Sequence, residues 1–290
     1  METIYTLEWM KQVARQARAE GRAVGLVPTM GALHEGHLSL VRAAQQQCSP
    51  VVVSIFVNPA QFGPSEDLEK YPRQMDRDRK VLEELKVDYL FAPTAAEVYP
   101  NSFRTYVNVE GLSTTLEGKT RPGHFRGVTT VVLKLFEIVQ PAFAYFGRKD
   151  AQQARLIRQM AADLNLDAEV VVCPIVREPD GLAMSSRNAY LKPDERKAAT
   201  VLSRALRAVE KEIAAGERDA VRLVAMLRQM LAAELLASVD YAEIVDADTL
   251  EPVTLLRRNC LVLLAVFIGT TRLIDNLLVG ERDGAFVTSL

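Results

Sequence analysis

From the start of the chain to about residue 176, short buried runs alternate with amphipathic stretches. Apolar residues at helical spacing predict a helix over residues 7–19 and another from about 36 to 44. The run VVVSIFV at 51–57 is unbroken and is typical of a parallel strand covered on both faces. The alternation continues with strands predicted at 23–27, 87–93, 142–146 and 168–176 and helices at 76–85, 127–139 and 150–164.

This order of elements predicts an α/β fold with a doubly wound, parallel, Rossmann-like sheet. Ligands of such sheets bind outside the carboxyl ends of the strands, where the turns that lead into the helices gather. We therefore expect the functional residues to lie in turns that follow strands.

The pattern changes near residue 185, where helical stripes replace the alternation. Two apolar stripes are predicted, at Leu202, Leu206, Val209 and Ile213 and at Val224, Leu227, Leu231 and Leu235. Strands are predicted at 241–245, 261–267 and 273–277, and a loose polar tail over the last ten residues. The sequence therefore predicts a Rossmann-like domain at 1–184 and a smaller α+β lid domain at 185–290.

Composition narrows the classes of function. The 290 residues include 35 basic and 37 acidic side chains, a net charge of -2 that argues against general binding of nucleic acid. The longest apolar run, at 260–268, is too short to span a bilayer, and the N-terminus shows no signal pattern. Three widely spaced cysteines without a CxxC pair favour a reducing, cytoplasmic location.

The stretch VPTMGALHEGH places His34 and His37 between a strand and a helix. Helix N-termini attract anions, and imidazoles can donate hydrogen bonds to phosphate oxygens without a fixed charge. An ordinary pair of surface or packed histidines is an open alternative. Zinc is less expected, because HEGH is not HExxH and His124 lies alone in another segment.

Two further turns carry neutral or mixed polar groups. In VNPAQFG, Asn58 and Gln61 follow the buried run and can read hydroxyls and carboxylates through uncharged amides, although simple turn chemistry explains them as well. The segment TLEGKTRPGHFRGV contains Glu117 and His124 in a loop that is either a lid or a solvated connection.

Two more segments suit phosphate. In FGRKDAQQ, Lys149 and Asp150 open a helix after Gly147, and Gln153 lies on the same helical face as Asp150. Near the predicted domain boundary, two hydroxyls and a guanidinium can clamp a departing polyphosphate. That loop contains Met184, Ser185, Ser186 and Arg187. Taken singly, both segments also fit capping and ordinary loop composition.

Together, PTMGALHEGH, VNPAQFG, HFRGV, GRKDAQQ and DGLAMSSRN resemble the pantothenate synthetase (pantoate-β-alanine ligase) family, from about residue 25 to 190. The HxGH element alone is shared more widely, as the HIGH motif of a nucleotidyltransferase superfamily. The resemblance implies that pantoate attacks the α-phosphate of ATP and that β-alanine then displaces AMP from pantoyl adenylate. It also implies Mg²⁺ with the ATP and a homodimer formed through the N-terminal domain.

The resemblance also implies roles for individual residues. His34, His37, Lys149 and Arg187 would be catalytic, with His37 in the proton-donating role. The ATP side would comprise Met30, Gly31, His34, His37, Gly147, Lys149, Asp150, Val176, Met184, Ser185, Ser186 and Arg187. The pantoate and β-alanine side would comprise Gln61, Gln153, Asn58, Tyr71, Glu117 and His124. We expect the imidazoles, Lys149 and Arg187 to converge on one triphosphate.

Two residues depart from the family pattern GEKDYQQ, since this chain has Arg148 and Ala151. We expect these two residues to alter local packing and nucleotide affinity and to leave the activity itself unchanged. Two other functions stay open at this point: a nucleotidyltransferase that stops after transferring AMP to a phosphorylated acceptor, and a nucleotide sensor without catalysis. The amides of Gln61 and Gln153 favour a small hydroxylated acid over a phosphorylated acceptor.

Overall fold

The computed structural model describes residues 1–64, 66–282 and 285–290. The chain forms two compact units, Met1–Arg148 with Gln152–Pro174 and Lys149–Ala151 with Ile175–Leu290. Residues 175–184 and the short segment Lys149–Ala151 thus group with the C-terminal unit. The functional division at 184/185 stays a prediction.

The N-terminal unit is built on a parallel six-stranded sheet. Its strands are β1 (Glu2–Ile4), β2 (Gly25–Thr29), β3 (Val51–Ile55), β4 (Tyr89–Phe91), β5 (Phe143–Gly147) and β6 (Glu169–Cys173). Their order is β1-β4-β3-β2-β5-β6, and every neighbouring pair is parallel. All five residues of β3 are buried, as its unbroken apolar run predicts. The predicted doubly wound sheet is confirmed.

The N-terminal sequence up to Asp163 contains seven α-helices among the residues described. They are α1 (Leu7–Ala19), α2 (Glu35–Gln47), α3 (Met75–Glu84), α4 (Ala95–Val98), α5 (Glu117–Thr120), α6 (His124–Val139) and α7 (Ala151–Asp163). A 3₁₀ turn, Arg148–Asp150, precedes α7, so this helix begins one residue later than predicted. The short elements β1, α4 and α5 were not predicted, because three or four residues carry no readable periodicity.

The C-terminal unit combines helices with an antiparallel sheet. Its helices are α8 (Pro193–Ala198), α9 (Val201–Ala214) and α10 (Ala220–Ala232), and its strands are β7 (Ala237–Asp246), β8 (Cys260–Ile268), β9 (Thr271–Arg282) and β10 (Ala285–Ser289). The strand order is β10-β9-β8-β7. One predicted stripe, Leu202, Leu206, Val209 and Ile213, is at most 1% exposed and forms part of the core with the sheet.

Two expectations for this unit are wrong. Leu235 is 96% exposed, because α10 ends at Ala232 and the helical stripe does not reach it. The last ten residues are not a loose tail, since β10 pairs antiparallel with β9 and aligns Val287 with Gly280. Asp283 and Gly284, which fall in that predicted tail, lie outside the described residues. Within the described part of the chain, no helix is both long and apolar enough to cross a membrane.

Candidate active site

The two histidines lie together at the start of α2. His34 is the N-cap residue, and its Nδ1 accepts a hydrogen bond from the Gly36 amide at 3.2 Å. His37 Nδ1 accepts from the His34 amide at 3.4 Å, and the ring centroids are 4.1 Å apart. Because each Nδ1 is an acceptor, each neutral ring carries its proton on Nε2. The pair therefore offers Nε2–H donors at a helix N-terminus, a chemistry suited to phosphate.

The turn before α2 is held by a buried carboxylate. Asp78 of α3 is 1% exposed and accepts from the amides of Ala32 and Leu33, both at 2.8 Å. Gly31 has φ +83, and an added Cβ there would lie 3.1 Å from both the Asp78 carboxylate and Ile55. The sequence does not reveal the role of Asp78, because α3 contains many charged residues and nothing in the sequence distinguishes the buried one. Its buried carboxylate positions the loop that carries His34.

Replacing Asp78 with Asn is expected to lower the free energy of unfolding by about 1.5–3 kcal/mol. The new amide group would turn an NH₂ toward one of the two backbone donors that the carboxylate now accepts. Urea unfolding measures the change. Asp76→Asn on the exposed side of the same helix is the control and should stay within about 0.5 kcal/mol of wild type. Equal effects of the two changes would contradict this role.

A neutral amide pair follows β3. Asn58 is 1% exposed and uses Nδ2 to donate to Gln61 Oε1 at 3.0 Å and to the Gly127 carbonyl at 3.1 Å. Its Oδ1 accepts from the Ala60 amide and from the Tyr99 hydroxyl. Asn58 is therefore satisfied internally and orients Gln61, whose Oε1 faces Asn58. The Gln61 amide nitrogen is thereby turned to the other side, where it can donate to a ligand oxygen.

Gln61 also connects two other predicted site residues. Its Nε2 donates to the Met30 sulfur at 3.2 Å, and its carbonyl accepts from His124 Nδ1 at 2.9 Å. Met30, Gln61, Asn58 and His124 thus form one bonded group inside the N-terminal unit.

His124 is a buried, neutral imidazole with a defined tautomer. Its Nδ1–H donates to the Gln61 carbonyl, and its Nε2 accepts from Arg121 Nη1 at 3.1 Å. His124 as a whole residue is only 8% exposed. Burial, followed by the charge of Arg121, lowers the pKa of His124 to about 4. At neutral pH it therefore links Arg121 to the backbone of Gln61 without carrying charge.

The free energy of unfolding is expected to fall as the pH drops from about 6.5 toward about 4, by up to roughly 1.4 kcal/mol per pH unit from His124. In this range the unfolded chain binds a proton at His124 that the folded chain excludes. The contribution of the neutral His124 to the free energy of unfolding is complete above pH 6.5 and is lost as the pH falls toward about 4. Urea unfolding across this range measures the slope.

His124→Asn is the matched variant for that measurement. An Asn amide can still donate to the Gln61 carbonyl but does not titrate, so the variant should show a shallower loss of stability with falling pH. Identical slopes for the variant and the wild type would show that His124 does not titrate in this way.

Arg121 also anchors the loop that precedes α6. Its Nε and Nη2 donate to the two oxygens of Glu66 at 2.9 and 2.7 Å, and its Nη1 lies 4.0 Å from Glu117. Burial alone would raise the pKa of Glu66, but the hydrogen bonds and charge of Arg121 hold it below its usual value. Arg121 therefore contacts both Glu117 and His124, and this places the Glu117 side chain near the His124 ring.

The remaining predicted residues of this unit are Tyr71, Gln153 and Gly147. Tyr71 is 7% exposed and packs edge-on against Phe62, with ring centroids 6.0 Å apart. Gln153 is half-buried on α7, and Gly147 ends β5. The neighbouring Gln152 was missed. It is 3% exposed, accepts from the Glu117 amide and donates to the carbonyls of Leu112 and Thr115, so it fastens the Glu117 loop to α7.

The predicted phosphate residues after β5 belong to the C-terminal unit. Lys149 Nζ lies 3.1 Å from Asp150 Oδ2, with side chains 21% and 45% exposed. The Lys149 carbonyl accepts from Asn276 Nδ2 of β9 at 3.0 Å. Asn276 is fully buried and was not foreseen, since its contact joins residues 127 positions apart.

A hairpin in the same unit carries the remaining predicted residues. The Val176 carbonyl accepts from the Met184 amide at 3.0 Å, which makes the two residues neighbours. Ser185 then caps the 3₁₀ helix Ser186–Tyr190, accepting from the Arg187 amide at 3.3 Å. Val176, Met184, Ser185, Ser186 and Arg187 are thus presented by one continuous hairpin and loop.

In the N-terminal unit, Met30, Asn58, Gln61 and His124 form one bonded group, and His34 and His37 form a second. Their convergence on a single triphosphate stays a prediction. Within residues 1–64, 66–282 and 285–290, no three His, Cys, Asp or Glu side chains are grouped so as to hold a metal ion.

Comparison with known proteins identifies the family. A family model described as pantoate-beta-alanine ligase matches residues 2–278. The chain belongs to the pantoate-beta-alanine ligase family. A pantothenate synthetase of Acetivibrio thermocellus is 54% identical over 279 residues, covering 96% of this chain and 99% of that protein.

Solved structures of the pantoate-beta-alanine ligase family share the fold. A pantothenate synthetase of Thermus thermophilus has a TM-score of 0.91 and 46% identity, covering 95% of this chain and 98% of that one. A pantoate-beta-alanine ligase of Francisella tularensis, complexed with beta-gamma ATP and β-alanine, has a TM-score of 0.79 and 35% identity. That match covers 96% of this chain and 97% of that one.

Within this ligase family, the two departures of the chain have a simple structural setting. Ala151 is 8% exposed at the first position of α7, and Arg148 is half-buried in the preceding turn. An alanine at the start of a helix is compatible with high helix propensity. Both residues flank the Lys149–Asp150 pair. The chain therefore differs from the pattern GEKDYQQ in the local packing around that pair.

Proposed function

We propose that the protein joins pantoate to β-alanine at the expense of ATP, forming pantothenate, AMP and pyrophosphate. The observation that carries this proposal is the pantoate-beta-alanine ligase match over residues 2–278. The donor geometry at His34, His37 and Gln61 agrees with it, because phosphate and a hydroxy acid both accept hydrogen bonds.

In the first step, a carboxylate oxygen of pantoate attacks the α-phosphorus of ATP. The bond from that phosphorus to the bridging oxygen breaks, and pyrophosphate leaves with the electron pair. Negative charge grows on the phosphate oxygens, where Nε2–H of His34 and His37 and the ammonium of Lys149 stabilise it. His37 is assigned the proton-donating role.

In the second step, the neutral amine of β-alanine attacks the acyl carbon of pantoyl adenylate. The carbon–oxygen bond to AMP breaks, the amine loses a proton, and the amide of pantothenate forms. Gln61 and Gln153 hold oxygens of pantoate through uncharged amides, which recognise a carboxylate that becomes a neutral acyl group during the reaction.

The other residues are assigned to the two ligand sides. For ATP these are Met30, Gly31, Gly147, Asp150, Val176, Met184, Ser185, Ser186 and Arg187. For pantoate and β-alanine they are Asn58, Tyr71, Glu117 and His124. Asn58 and His124 act mainly by orienting Gln61, because their polar atoms are already bonded inside the protein.

Three further features complete the proposal. Mg²⁺ enters with the triphosphate, because it keeps several waters and binds chiefly through substrate phosphates. The protein acts as a homodimer, an inference from the family resemblance that light scattering in solution tests. It works in the cytoplasm, an inference supported by the buried free thiols Cys48, Cys173 and Cys260.

The test supplies ATP, Mg²⁺, pantoate and β-alanine and measures AMP and the new amide. Omission of β-alanine should stop AMP and amide formation while pantoate-dependent exchange of pyrophosphate into ATP continues. Turnover without β-alanine and with a phosphorylated acceptor would instead identify an AMP transferase. ATP binding without pyrophosphate release with any acid would identify a nucleotide sensor.

A further inference from the structure

The C-terminal unit contains a buried ion pair that no assigned role uses. Arg177 donates through Nη1 and Nη2 to the two oxygens of Asp275 at 2.7 and 2.9 Å. The side chains are 12% and 1% exposed. Arg177 Nη1 also donates to the Gly181 carbonyl at 3.1 Å, so the pair ties the hairpin that begins at Val176 to β9.

On the β9 side, the residue next to Asp275 reaches the Lys149 turn. The backbone N–H of Asn276 donates to Asp275 Oδ1 at 2.8 Å, and its side-chain Nδ2 donates to the Lys149 carbonyl at 3.0 Å. The Asp275–Asn276 dipeptide therefore holds the backbone of the turn that presents the Lys149 ammonium.

On the hairpin side, the residue next to Arg177 reaches the loop that presents Arg187. Glu178 Oε1 accepts from Asn188 Nδ2 at 2.8 Å, and Glu178 Oε2 accepts from Arg196 Nη2 at 2.6 Å. Asn188 follows Arg187 directly and also donates to the Ala183 carbonyl at 3.1 Å. The Arg177–Glu178 dipeptide therefore fastens the end of the Ser185–Arg187 segment.

These contacts form one continuous connection from Lys149 to Asn188 inside the C-terminal unit. A bidentate guanidinium–carboxylate pair has a fixed geometry, so it sets spacing as well as contributing energy. A buried ion pair is weak evidence for a stabilising role, because desolvation opposes the gain from attraction. The shift of a reacting group by about 1 Å can reduce a rate about 10²-fold.

We propose that Arg177, Asp275 and Asn276 are positioning residues that fix the separation of the two phosphate-binding segments, Lys149–Asp150 and Ser185–Arg187. The proposal rests on the proposed function for the assignment of those segments to ATP. The three residues touch no substrate and act through the backbone of their neighbours. Their loss should impair the use of ATP and leave the recognition of pantoate unchanged.

The experiment compares Asn276→Ala and Asp275→Asn with a control ion pair of the same unit. Asp240 accepts from Arg272 Nε and Nη2 at 2.9 and 2.6 Å, with side chains 17% and 18% exposed, and is not connected to either segment by these contacts. Asp240→Asn is therefore the matched control. KM for ATP, KM for pantoate, kcat and the melting temperature are measured for each full-length variant.

We expect kcat/KM for ATP to fall by about 10-fold or more in Asn276→Ala and Asp275→Asn, while KM for pantoate stays within about twofold. Asp240→Asn should lower the melting temperature without changing kcat/KM for ATP. If Asp275→Asn does not fold, Asn276→Ala decides the result. A lowered melting temperature with kcat/KM for ATP unchanged in Asn276→Ala would overturn the proposal.

Failure of the inference and failure of the proposed function give different results. If wild type makes pantothenate but Asn276→Ala binds and uses ATP normally, only the positioning role is wrong. If wild type makes no pantothenate, the function is wrong. Calorimetric titration with a non-hydrolysable ATP analogue then decides the positioning role, which requires weaker binding by Asn276→Ala than by Asp240→Asn.

Discussion

His37→Ala is expected to lower pantoate-dependent exchange of pyrophosphate into ATP by about 10²–10⁴-fold, with the fold retained. The change removes an Nε2–H donor at the start of α2, where charge develops on the phosphates. In the fold it removes the long hydrogen bond from the His34 amide to His37 Nδ1, at 3.4 Å, and the ring contact with His34. Exchange kinetics together with thermal unfolding separate the chemical effect from the structural one.

His34 needs a different control because its ring also caps α2. His34→Ala would remove the cap and the donor together, whereas His34→Asn keeps a side-chain acceptor suited to an N-cap and removes the imidazole. We expect His34→Asn to be nearly as stable as wild type and still slow in exchange. A near-normal exchange rate in His37→Ala would remove His37 from the mechanism, whatever the result at position 34.

The sequence predicted the fold where local pattern and tertiary structure agree. The run VVVSIFV predicted β3 because a strand buried on both faces needs apolar side chains at every position. The strand β1 has three residues and exists by pairing with β4, with Glu2 opposite Tyr89. The strand β10 likewise depends on β9. Such edge strands are defined by partners far along the chain, and local pattern does not contain that information.

The candidate site divides in the same way. Residues in turns after strands, such as His34, Gln61 and Lys149, could be predicted because the topology places strand ends at the ligand edge. The residues that hold these turns could not. Asp78 contacts Ala32 across 46 positions, and Asn276 contacts Lys149 across 127. The sequence does not distinguish a buried Asp or Asn from an exposed one, so the roles of Asp78 and Asn276 become visible only in the structure.

Lys149→Ala is expected to lower kcat/KM for ATP by about 10²–10³-fold, or roughly 2.7–4 kcal/mol of transition-state stabilisation. Asn276 fixes the backbone carbonyl of the turn that carries Lys149, and the ammonium itself lies 3.1 Å from Asp150 Oδ2. Pyrophosphate gains negative charge as it leaves, and a fixed cation stabilises that charge more than it stabilises bound ATP. The loss should therefore appear in kcat as well as in KM for ATP.

The control for this prediction is Lys197→Ala. Lys197 belongs to the same unit, lies 3.8 Å from Asp194 and has a side chain that is 83% exposed, so its removal changes net charge equally without touching the Lys149 turn. If the effect of Lys149 were only long-range attraction of ATP, both variants would lose activity similarly, and both losses would shrink at high salt. A loss confined to Lys149→Ala, present at low and high salt, identifies direct contact with the phosphates, and unchanged ATP turnover in that variant would exclude it.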